Sequence, residues 1–75
     1  MNLILTTHGE VLLGAYFSRL RPRFADFEIK RDGETTWVIT CPGKNIKYPV
    51  AMFVGTYIEA SKALKLKLVT ARMLQ

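Results

Sequence analysis

Chemistry-bearing side chains are few in this chain: it has one cysteine, Cys41, and one histidine, His8. A lone thiol closes no intrachain disulfide, and one Cys with one His falls short of the four N/S ligands of a structural zinc site. With neither staple, a chain of 75 residues has a thin stability margin, because a domain this small buries little more than ~60% of its unfolded surface. Oligomerisation is the remaining remedy, and a hydrophobic content of 49% leaves apolar surface available for it. A homo-dimer is the expected state.

Long apolar runs are also missing. The longest stretch without a charge runs from Tyr48 to Ile58, well short of the ~20 residues that span a membrane. The N-terminus lacks a basic segment followed by an apolar core and a small-residue cleavage site. These features, with the single cysteine, point to a cytoplasmic protein with no membrane partner.

Acids are scarce where bases are dense. No Asp or Glu lies between Glu10 and Asp26, and none follows Glu59. Seven of the eleven basic residues occupy those gaps: Arg19, Arg21 and Arg23 in one, Lys62, Lys65, Lys67 and Arg72 in the other. The net charge of +5 is therefore concentrated instead of being dispersed in ion pairs. Concentrated positive charge suits a polyanion, since neutralising phosphates releases counterions and yields affinity without sequence readout.

No linker, repeat or low-complexity segment divides residues 1–75, which read as a single domain. A hairpin is the most strongly marked element: Phe24 to Lys30 and Glu34 to Cys41 are rich in aromatic and β-branched residues and flank Arg31-Asp32-Gly33. A three-residue loop pairs Lys30 with Glu34 and Phe27 with Trp37, placing Ala25, Phe27, Ile29, Trp37, Ile39 and Cys41 on one buried face. A third strand over about Lys44 to Tyr48 adds Ile46 and Tyr48 to that face. The opposite face is then mixed in charge and free of aromatics.

From Pro49 the composition favours helix, with Pro at the first position and Ala, Met, Leu, Lys and Arg after it. Its core stripe would be Val50, Phe53, Val54, Tyr57, Ala60, Leu64, Leu68 and Ala71. The alternation Leu64-Lys65-Leu66-Lys67-Leu68 also fits a strand, so a break near Ala63 competes with a continuous helix. Residues 2–20 admit two readings as well. One is a short strand, Asn2 to Thr6, then a helix from His8 to about Leu20 with Thr7 and Glu10 as a capping box. The other is a hairpin turning at His8-Gly9. The first is preferred.

The expected architecture is thus α+β in two layers: a three-stranded antiparallel sheet flanked by an N-terminal and a C-terminal helix, in β-α-β-β-β-α order. Without its first strand, this order resembles that of double-stranded RNA-binding domains. That family grips phosphates with basic residues at the start of its second helix, where this chain has the apolar Val50 to Ile58.

No motif supports catalysis. His8 has no Ser, Cys or carboxylate placed by pattern beside it, and Cys41 falls on the apolar face of its strand. Gly43-Lys44 lacks the preceding glycine and the following Ser or Thr of a phosphate-binding loop. The chain is read as a non-enzymatic binding module with no cofactor and no metal. Its expected contacts with DNA or RNA backbone are Arg19, Arg21, Arg23, Lys44, Lys62, Lys65, Lys67 and Arg72. Proline keeps the segment from Arg19 to Phe24 extended, so its three guanidiniums project like charges along a phosphate backbone. A competing reading makes the chain an inhibitor or accessory subunit of a larger protein. Its contact surface would be a second apolar stripe, Ile58, Leu66, Val69 and Met73, extended by Leu74.

Overall fold

The structure, a computed structural model, describes residues 2–74. Strand β1 (Leu3–Leu5) leads into helix α1 (Thr7–Leu13) and a short helix α2 (Phe17–Leu20). A 3-10 turn at Phe24–Asp26 precedes β2 (Glu28–Arg31) and β3 (Thr36–Cys41). A second such turn at Pro42–Lys44 leads to β4 (Ile46–Val54) and the closing helix α3 (Tyr57–Met73). The sheet is antiparallel and has four strands in the order β1-β4-β3-β2. The fold is therefore α+β as expected, but with the N-terminal strand inside the sheet as an edge beside β4, one strand more than the expected three.

The hairpin differs from expectation in register but not in parity. Arg31 faces Trp37, Lys30 faces Val38 and Ile29 faces Ile39, so Lys30 is not opposite Glu34. The connection is longer than three residues, closed by Asp32 N donating to Thr36 O at 2.9 Å. Because the slip is even, Phe27, Ile29, Trp37, Ile39 and Cys41 keep the inner face. Of these, Ile39 and Cys41 are wholly buried. Ala25 leaves that set: it sits exposed in the 3-10 turn, ahead of the strand.

A larger correction concerns residues 46–56. The strand expected to stop at Tyr48 continues to Val54, and the helix expected from Pro49 begins at Tyr57. Pro49 is compatible with an inner strand because it lies in an irregularity: Cys41 pairs with Ile46 while Ile39 pairs with Ala51, so five steps on β4 answer two on β3. Its missing N–H is not needed there, and its carbonyl accepts from Thr6 Oγ1 at 2.6 Å. Val50 and Phe53 are buried as expected, but from a strand; Val54 and Tyr57 are exposed. Tyr48 also leaves the core, 60% exposed, and stacks on His8 with ring centroids 4.6 Å apart.

Helix α3 starts where local chemistry tells it to. Gly55 takes φ +145°, a region closed to most side chains. Thr56 then caps the helix reciprocally: its Oγ1 accepts from Glu59 N at 3.1 Å, and its N–H donates to Glu59 Oε1 at 2.9 Å. The helix is continuous past Ala63 and buries Ala60, Leu64, Leu68 and Ala71, the 3.6-residue stripe that covers the sheet. Removing one of these, as in Leu64→Ala, costs about 2–5 kcal/mol.

At the other end the cap is Thr6, one residue earlier than expected, accepting from Gly9 N at 3.1 Å. The expected single helix is broken around Gly14 into α1 and α2. Gly9 lets α1 lie directly on β4, since a Cβ there would stand 1.8 Å from the Val50 carbonyl oxygen. The helices share one side of the sheet, where Leu12, Leu13, Phe17, Leu64 and Leu68 meet Ile39, Cys41 and Ala51. The other face is more apolar than expected, because the register aligns Ile4, Met52, Val38 and Lys30 in one row across it.

Candidate nucleic-acid interface

Helix α2 ends at Arg21, whose backbone adopts the left-handed conformation (φ 45°, ψ 57°) and donates its N–H to Phe17 O at 2.7 Å. This conformation suits glycine; in an arginine it costs roughly 1–2 kcal/mol. It turns the chain sharply, and the buried Pro22 follows. Arg23 is then held from its backbone, its N–H donating to Asp26 Oδ2 at 2.8 Å while its carbonyl accepts from Asp26 N at 2.8 Å. The segment is therefore a bent, internally bonded corner, not the extended run expected from the proline.

The bend has a consequence for charge. Arg21 and Arg23 line a cleft of about 540 Å³ together with Phe17, Ser18, Pro22 and Arg72, the last reaching in from the final turn of α3. The cleft thus joins members of the two basic stretches, and no acidic side chain lines it. Among the described residues the ion pairs are Lys30–Glu28 at 3.3 Å and Lys44–Asp26 at 3.9 Å. None of Arg21, Arg23 and Arg72 takes part in them. Arg21 Nε donates to Ser18 O at 3.2 Å, which anchors the inner end of that guanidinium.

The other sequence-selected bases are placed differently. Arg19 lies over the Tyr16 ring at 5.5 Å, away from the cleft lining. Lys65 Nζ lies 4.8 Å from the Phe24 ring centre, a cation–π contact. Lys67 is half-buried and Lys62 is exposed, close enough to Glu59 to help lower its pKa. Lys44 is tied to Asp26, with side chains only 29% and 13% exposed, where it joins the two 3-10 turns. Of the eight expected contacts, three converge: Arg21, Arg23 and Arg72. Ser18, a hydroxyl donor on the same lining, carries no sequence signal that would have selected it.

The apolar stripe is also present. Ile58, Leu66, Val69, Met73 and Leu74 are 64%, 58%, 47%, 79% and 79% exposed, on the side of α3 away from the sheet. A separate recess of about 240 Å³ opens beside α1, lined by Thr7, His8, Val11, Leu12, Tyr16, Leu20 and Ile46.

Among the aromatics, Trp37 and Phe27 are buried, whereas Tyr16, Tyr48 and Tyr57 are about half exposed and lie outside the basic cleft. Trp37 is buried, donates Nε1–H to Gly55 O at 2.8 Å, and is covered by Arg31 at 4.6 Å. Cys41 is inert for the same reason of burial: loss of solvent pushes its thiol pKa above the ordinary value, and the nearby Asp26 adds to this. Among the described residues no cluster of His, Cys, Asp and Glu could hold a metal ion, and no helix is long and apolar enough to cross a membrane. No family model, curated protein or solved structure matches the chain, and the likeness to double-stranded RNA-binding domains goes no further than element order.

Proposed function

We propose that this protein is a small, non-enzymatic, cytoplasmic binding module that contacts nucleic-acid phosphates through the cleft of Arg21, Arg23 and Arg72. The observation that carries this reading is the convergence of arginines some fifty positions apart in sequence on one cleft with no acid on its lining. Guanidinium forks match phosphate oxygens bidentately. With Phe17, at 4% exposure, the one aromatic on the lining, contacts at the cleft fall on the backbone and carry little base preference.

Fluorescence anisotropy with single-stranded and duplex oligonucleotides at two salt concentrations tests this reading. Binding is expected with Kd of roughly 10⁻⁴ to 10⁻⁶ M near physiological salt. Replacing Arg21, Arg23 and Arg72 together by Gln should lower the salt slope by about 2 on single strands, at ~0.7 per lost phosphate contact. An unchanged slope removes the cleft from the reading.

A second reading is favoured by the exposed stripe of Ile58, Leu66, Val69, Met73 and Leu74. Such a surface on a small chain suits a protein partner, a second copy or a larger target. Sedimentation at micromolar concentration, with Leu66→Glu shifting a dimer toward monomer, tests the self-association form. An intact complex with a larger protein after nuclease treatment supports the accessory-subunit form.

A further inference from the structure

We propose that the arginine cleft takes a terminal phosphomonoester, the phosphorylated end of a single strand, in preference to phosphodiesters along a duplex. This deepens the nucleic-acid reading above and rests on it. The first argument is shape. A cleft of about 540 Å³ has the capacity of a small-ligand site. A terminal phosphate on a free strand end suits such a concave site better than the continuous convex backbone of a duplex.

The second argument is charge and donor count. A phosphomonoester carries about −1.5 to −2 at neutral pH and offers three terminal acceptor oxygens; a diester offers one charge and two free oxygens. Arg21, Arg23, Arg72 and the Ser18 hydroxyl line one cleft. Three cations exceed the charge of a single diester by two and that of a dianion by one, so the dianion is the closer match.

The third argument is preorganisation. Phe17 is 4% exposed and Pro22 is wholly buried, so the exposed arginines stand on a rigid apolar floor. Arg21 is fixed at both backbone and Nε, so less side-chain freedom is lost when phosphate binds.

The test compares one short single-stranded oligonucleotide with a 5′-phosphate, a 3′-phosphate or hydroxyl ends, the label placed at the opposite end or internally, by anisotropy near physiological salt. A phosphorylated end should bind about tenfold more tightly than the hydroxyl form. That advantage should vanish in Arg72→Gln, persist in Lys30→Gln, which lies outside the cleft lining, and be competed by a free mononucleotide better than by its cyclic diester. Circular dichroism of each variant separates loss of the site from loss of fold. Equal affinity for phosphorylated and hydroxyl ends, with a salt slope still dependent on the arginines, overturns end recognition and leaves the backbone reading standing. Absence of binding to every oligonucleotide at low salt overturns both. Tighter binding of a phosphoserine peptide than of the phosphorylated oligonucleotide overturns the assignment to nucleic acid.

Discussion

The two basic stretches look alike as sequence, yet the structure uses them differently. Residues 19–23 form a corner in which Arg21 is held in the left-handed conformation and Arg23 is pinned through its backbone to Asp26. Residues 62–67 lie on a regular helix, which leaves Lys62 and Lys65 on one side and turns Lys67 to another. One lysine rests on Phe24, one is half-buried and one is exposed beside Glu59. Only Arg72 of the second stretch joins the corner. Charge density along a chain is therefore a poor guide to charge density in space: a helix disperses neighbours, and an irregular corner can gather them.

The sharpest way to break this contrast is to neutralise each stretch in turn. Lys62, Lys65 and Lys67 replaced together by Gln should change affinity for a single strand by less than about threefold and the salt slope by less than ~0.7, the value of one contact. The arginine variant described above should lose about 2 units of slope on the same strand. Equal losses would mean that the helix contributes as much as the corner.

A smaller effect separates the helix's own stability from the cleft. Thr56→Ala removes the hydroxyl half of the reciprocal cap of α3 and should cost about 1 kcal/mol in denaturant unfolding, with the basic cleft still able to bind. Its pH dependence has a defined sign. The backbone N–H of Thr56, and then its hydroxyl, hold the Glu59 pKa below its ordinary value. The contribution is thus present above the unfolded glutamate pKa and fades as pH falls through the depressed folded one. Acid titration of stability should show this loss in the native protein and less of it in Thr56→Ala.

The smallest expected effect is also the one that most directly probes the corner. Arg21→Gly relieves the left-handed strain and should stabilise the fold by about 0.5–1 kcal/mol, while weakening phosphate binding. A variant more stable and less active would identify Arg21 as a residue kept for function at a cost in stability. Loss of both properties would mean that Arg21 mainly supports the fold.

Several features were readable from residues alone. Alternation in Phe27, Ile29, Trp37, Ile39 and Cys41 identified the buried face even though the loop was longer than expected, since an even register slip preserves parity. The helical stripe of Ala60, Leu64, Leu68 and Ala71 and the exposed stripe behind it followed from a 3.6-residue period. The start of α3 was missed: Pro49 suggested a start eight residues earlier than Tyr57, and the Thr56-x-x-Glu59 cap was passed over. Proline marks the first turn of a helix and an irregular strand position equally well, and only the pairing of β4 with β1 and β3 decides between them.

What the sequence determined by itself was periodic and local: which positions turn inward, where charge accumulates along the chain, and that its one cysteine closes no intrachain disulfide. Tertiary structure decided the rest. Edge pairing of β1 depends on β4, with Leu3 opposite Phe53, fifty positions on; the placement of Arg72 beside Arg21 and Arg23 depends on how α3 crosses the sheet. Such contacts join residues distant in sequence, so no local pattern encodes them. They exist because burying Leu64 and Leu68 against Ile39 and Cys41 fixes the helix, and the helix carries its last arginine to the cleft.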